Sequence, residues 1–139
     1  MTDVSLPTIT SVSNLLSTFN GCEAITSLDL SGWDTSSCSD FYQCFRKCSS
    51  LKTLNISGWT NPDSQRTYQF LSGCGALESL IIDSNEVFNL TDSSSLTSSG
   101  IVYGTGYVYV PDDLVASYQA ANYWSTYSSQ IKGMSEYTG

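Results

Sequence analysis

Phe45-Arg46-Lys47-Cys48-Ser49-Ser50-Leu51-Lys52-Thr53-Leu54-Asn55-Ile56-Ser57-Gly58-Trp59 changes its apolar period halfway along. Phe45, Cys48 and Leu51, with Tyr42 before them, step by three. That spacing predicts one face of a short α- or 3-10-type helical segment. Leu54 and Ile56 then step by two, as in a strand with both side chains on one face. Ser57-Gly58 marks the turn that follows. The same pattern stands one period earlier, in Leu16, Phe19, Cys22, Ile25, Leu28, Leu30 and Trp33. It returns one period later, in Tyr68, Leu71, Cys74, Leu77, Leu80 and Ile82. The period is 26 residues, read from Cys22, Cys48 and Cys74. Six apolar columns keep this register over three copies.

Helical turn, loop, short strand and return make one coil of a leucine-rich repeat, and a single coil buries its apolar face only by stacking. The expected fold is an α/β leucine-rich-repeat solenoid with 26-residue repeats. A short parallel sheet lies on one face, short helical or 3-10 segments lie on the other, and a helical cap closes the C-terminal end. Residues 1–139 form one domain of ordinary size. Residues 1–14 are a partial repeat, 15–40, 41–66 and 67–84 are repeats, 85–106 an irregular coil, and 107–139 the last strand and C-terminal cap. A step back of 26 from Asp29-Leu30 places Asp3-Val4 on a first, incomplete strand. The same step forward from Leu80 predicts a fifth strand at residues 107–110, with Val108 and Val110 inward. Pro111-Asp112-Asp113-Leu114 then opens a helix with Asp112 as N-cap. Leu114, Val115, Tyr118, Ala121 and Trp124 form its apolar stripe, and a second short helix carries Tyr127 and Ile131.

Composition narrows the function classes. The net charge is −8, with only five basic residues in 139, which argues against nucleic-acid binding. No apolar run approaches the length of a membrane span. The start of the chain lacks the basic-then-apolar pattern of a signal peptide. There is no His, the commonest general base and metal ligand. The reading is therefore not an enzyme, with no cofactor, no metal site and no catalytic residue. Asp112-Asp113 is explained by the helix start rather than as an acid–base pair. The Cys22, Cys48 and Cys74 column reads as small buried hydrophobes in the reduced state. Trp33 and Trp59, in register just after the strand, read as walls of the turn.

The string Phe-x-x-Cys-x-x-Leu-x-x-Leu-x-Leu/Ile-Ser-Gly-Trp, in which Ile25 takes the place of the first Leu in the copy at residues 19–33, resembles the BspA-like leucine-rich repeats. It stands at residues 19–33 and 45–59, with a weakened copy at 71–85. The ending Gly-Thr-Gly-Tyr-Val-Tyr-Val-Pro-Asp-Asp-Leu-Val, with Tyr118, Ala121, Trp124-Ser125 and Ile131, is similar to the closing segment common in that family. The resemblance implies non-enzymatic recognition, as in bacterial surface adhesins, protist surface proteins and proteins of phages and prophages of gut bacteria. It carries no functional residue with it, because its motif marks core positions. The sequence departs from the family pattern in having a C-terminal cap and no N-terminal one. Residues 1–20, with Val4 and Leu6 inward and Pro7 beyond them, are expected to form an interface with another copy or a preceding domain.

Strand residues between the buried columns point outward. One column is Ser27, Thr53, Ser79 and Thr105. A second is Asp29, Asn55, Ile81 and Tyr107, and a third is Ser31, Ser57, Asp83 and Tyr109. The last two are the candidate ligand-binding residues, polar at one end and aromatic at the other, and exposed Tyr is a favoured contact residue. A solvated sheet whose Tyr pair packs under the cap is the competing reading. The expected function is a binding module on a phage virion or bacterial surface, taking a protein or glycan ligand through the sheet face. The alternative is a structural virion subunit, a decoration or tail-associated protein acting in assembly.

Overall fold

The computed structural model describes residues 3–5, 14–38, 40–61 and 66–138, the first three as backbone alone. Their strands are β1 (Asp3–Ser5), β2 (Ser27–Asp29), β3 (Thr53–Asn55), β4 (Ser79–Ile81), β5 (Tyr107–Val110) and β6 (Ile131–Gly133). They pair in parallel and in chain order, giving one six-stranded sheet. Leu28, Leu54 and Leu80 are partners across β2, β3 and β4, at successive offsets of 26 residues. Their side chains point inward and are at most 1% exposed.

The offset changes at both ends of the sheet. Val4 pairs with Leu28, not with Leu30 as a uniform step of 26 requires. Leu6 and Pro7 lie outside the described residues. At the other end Ser79 pairs with Tyr107 and Ile81 with Tyr109, two residues out of the expected alignment. The connection from β4 to β5 holds its own elements, a 3-10 turn at Ser93–Leu96 and the helix α1 at Gly100–Tyr103. α1 closes through Gly104 at φ +82°, a left-handed position that suits glycine. Gly100 and Gly106 both lie against the Leu77 carbonyl oxygen, where a Cβ on either would collide with it.

Opposite the sheet, the segments read as helical do not form helices. In residues 14–22, 41–48 and 67–74 half of the N–H groups close turns on a carbonyl three residues back. Thr18 donates to Leu15, Asn20 to Ser17, and Cys22 to Phe19. The alternate N–H groups cross to the next segment. Leu15, Ser17, Phe19 and Gly21 donate to the carbonyls of Asp40, Tyr42, Cys44 and Arg46, at 2.8–3.0 Å. Phe41, Gln43, Phe45 and Lys47 donate in the same way to Arg66, Tyr68, Phe70 and Ser72. Left-handed residues recur in two columns, Ser17, Gln43 and Gln69, and Gly21, Lys47 and Gly73. An α-helix admits no such residue, whereas a chain of tight turns requires it. The step of three is common to both, which is why the spacing alone points to a helix.

The core is continuous from Leu15 to Ile131. Phe19 stacks on Phe45 at 5.4 Å and Trp33 on Trp59 at 6.4 Å. Trp59 also donates its indole N–H to the Leu30 carbonyl at 3.0 Å, so both tryptophans serve the core as the sequence suggests. The expected inward column of Leu16, Tyr42 and Tyr68 is corrected: Leu16 is 45% and Tyr68 43% exposed. Leu15 and Phe41, one residue earlier, take the buried places, because each turn points its preceding residue inward. Cys48 donates its thiol to the Phe19 carbonyl and Cys74 to that of Phe45. Both are buried, while Cys22 is half-buried. Burial pushes the pKa of the Cys44 thiol up. The neighbouring Cys48 sulfur, reinforced by burial, does the same for Cys74.

Buried hydroxyls and amides tie adjacent segments elsewhere. Thr35 donates to the Thr60 carbonyl and accepts from its N–H. Asn61 and Asn89 each donate a side-chain N–H to the other's carbonyl. The cap packs as expected through Tyr118 and Trp124, which clamp one residue. Phe88 N–H donates to the Tyr118 hydroxyl and the Trp124 indole donates to the Phe88 carbonyl. Two details of the cap are corrected. Asp112 is not an N-cap: it lies inside a 3-10 turn, and its carboxylate accepts the Ser135 N–H at 3.1 Å. Ile131 is on strand β6, not on a helix, and pairs with Val108.

Candidate binding face

Asp29 and Asn55 occupy equivalent outward positions on β2 and β3. Each turns its side-chain oxygen onto the backbone two residues on, Asp29 accepting from Ser31 N–H and Asn55 from Ser57 N–H, both at 3.0 Å. These are Asx turns that close the strand end. Ser57 in turn accepts the Asp83 N–H at 3.0 Å. One carboxylate oxygen of Asp29, the amide oxygen of Asn55 and the Ser57 hydroxyl are thus engaged by the fold. Exposed Asp83 borders an open hollow with Gly58, Thr60, Ser84, Asn85 and Glu86.

The shifted register rearranges the aromatic end. Tyr107 belongs to the column of Ser27, Thr53 and Ser79, and Tyr109 to that of Asp29, Asn55 and Ile81. Thr105 precedes the strand and donates to the Gly100 carbonyl. Ile81 is only 6% exposed, so it is no contact residue; the register sets the Tyr109 ring rather than a smaller side chain beside it. Tyr109 is itself half-buried, edge-on to Tyr137 at 4.9 Å. Burial, with the neighbouring Tyr107, Tyr137 and Glu136, raises its pKa. Tyr107 remains 36% exposed, with the Lys132 ammonium 5.8 Å from its ring centre. Tyr107, Tyr109, Lys132 and Glu136 surround a shallow hollow of about 150 Å³. Covered ring and free ring are therefore both present.

Lys132, Glu136 and Tyr137 were not evident in the sequence as members of this face. They arrive on β6 and the 3-10 turn after it, and Ile-Lys-Gly is too short to show a strand period. Among the described residues, no cluster of three or more metal-ligating side chains occurs, and no helix is long and apolar enough to cross a membrane. No curated protein and no solved structure is matched by the chain. Residues 2–99 match the model of the family described as Mycoplasma protein of unknown function, DUF285. That match spans well over half of the 139 residues, and the chain belongs to this family.

Proposed function

We propose that the chain is a BspA-like leucine-rich-repeat solenoid that works as a non-enzymatic recognition module on a phage virion or bacterial surface. The 26-residue strand offsets and the Cys-to-Phe thiol bonds in successive coils support the solenoid reading. The ligand, a protein or glycan, is taken at the C-terminal end of the sheet face. One observation carries this placement. Along β2 and β3 the outward oxygens of Asp29 and Asn55 are bound to their own backbone. At β5 and β6 an exposed ring lines one hollow with a cation and a carboxylate. An aromatic plane offers stacking area at low entropic cost, and Lys132 and Glu136 supply one donor and one acceptor to orient what lies on it.

The test is binding of the full chain to an array of bacterial and mucosal oligosaccharides and purified surface proteins. Tyr107→Ala and Lys132→Ala should each weaken the strongest interaction about tenfold, or 1.4 kcal/mol, without lowering the melting temperature. Binding that survives both substitutions would overturn the placement.

A further inference from the structure

A further hollow lies where the cap meets the connection between β4 and β5. That connection contributes Asp92 and Ser93, over an apolar base of Leu90 and Leu96, which are 5% and 2% exposed. The cap contributes Tyr123 and, on the 3-10 turn Ser125–Gln130, Thr126 and Tyr127. The volume is about 50 Å³, too small for a sugar ring but enough for the head of an alkyl chain.

The polar groups here are acceptors in search of a cation. Asp92 turns Oδ1 onto the Ser94 N–H at 2.7 Å and onto the Ser94 hydroxyl. Its Oδ2 takes no hydrogen bond among the described residues, and the Ser93 and Thr126 hydroxyls make none there either. None of the five Lys and Arg side chains lines the hollow, in a chain of net charge −8. Tyr123 is also held under strain. Its φ is +69°, a left-handed conformation that suits a bulky residue poorly. Asn122, a type that adopts it more readily, stands one place earlier and is not left-handed. The strain brings no ring into the core, because Tyr123 is 41% exposed.

We propose that this hollow binds the terminal primary ammonium of an alkyl chain. The tyrosine rings attract a cation through their quadrupole. Asp92 Oδ2 supplies the counter-charge. The three N–H bonds of an ammonium find three acceptors in that oxygen and the hydroxyls of Ser93 and Thr126. Leu90 and Leu96 offer apolar contact to the methylenes that follow. Lysine side chains and free alkyl amines share this chemistry.

The test is an NMR titration of the full chain with 1-butylamine, protonated at pH 7, following the ring signals of Tyr123 and Tyr127. The amine should shift both rings saturably. Asp92→Asn keeps a capping side chain at this place and should weaken binding about tenfold. Tyr123→Gly should weaken it about as much without lowering the melting temperature, since glycine relieves the left-handed strain. Nα-acetyl-lysine amide that binds as tightly as butylamine, or more tightly, assigns the ammonium to a partner's lysine; weaker binding assigns it to a free amine. The absence of a saturable shift, comparable shifts with 1-butanol or methyl glucoside, or affinity unchanged by Asp92→Asn would overturn the proposal.

Discussion

Leu54 sits at the centre of the sheet with a partner on each side and is fully buried. Leu54→Ala should cost about 2–5 kcal/mol in denaturant unfolding, the range for a buried leucine that leaves a cavity. A loss below about 1 kcal/mol would contradict its packing. The cysteines separate by environment. Cys38, Cys44, Cys48 and Cys74 should label slowly until the protein unfolds, while half-buried Cys22 reacts first. Asp40 gives a pH signature. Burial opposes its charge, but the Arg66 guanidinium, bound at 2.7–3.0 Å, and the Tyr42 N–H hold its pKa below the ordinary value. Unfolded, the group titrates near 3.9, so its contribution is complete above about pH 4 and is lost as pH falls through the folded value. With Arg66 half exposed, Asp40→Asn should cost no more than about 1 kcal/mol at pH 7 and nothing at pH 2, measured by thermal unfolding. At this scale the inward strand residues were legible, because alternation fixes them. Leu16 was misplaced because a three-residue step does not say which residue of a turn points inward.

The turn segments hold non-glycine residues in left-handed conformations that cost roughly 1–2 kcal/mol each. Lys47, at φ +61°, stands in the same column as Gly21 and Gly73. Lys47→Gly removes that cost from an exposed site and should stabilise the protein by about 1 kcal/mol, read as a rise in the denaturation midpoint. The reverse holds at Gly100, where Ala would drive a methyl group into the Leu77 carbonyl. Gly100→Ala should lose about 2–3 kcal/mol or displace α1, visible as faster hydrogen exchange at Gly104 and Thr105, which donate across that turn. Neither effect could be read from the chain. Glycine marks a left-handed column in two of three coils and is silent in the third, and the collision at Gly100 exists only once distant layers meet. β6 escaped notice for a related reason: three residues carry no period, and its strand form is imposed by pairing with β5.

A stack held by nearest-neighbour contacts should be most protected at its centre. Amides of Leu54 and Leu80 should exchange only on global unfolding, and those of Ser17 and Phe19 sooner, by exchange mass spectrometry. Equal protection along the chain would mean that the first coil is closed. The 26-residue offset of β2, β3 and β4 was legible because several columns share it, while the changed offsets at β1 and β5 were not, since insertions are invisible to a uniform step. The one-way hydrogen bonding has an electrical consequence. Peptide units aligned coil after coil add their dipoles, as in a helix, but along the stacking axis rather than along the chain. The negative pole lies at the first coil and the positive pole beside Asp92, whose carboxylate accepts both the Ser94 N–H and its hydroxyl at that end. A fixed dipole therefore runs along the stacked turn segments of an acidic particle, its negative end at residues 14–22.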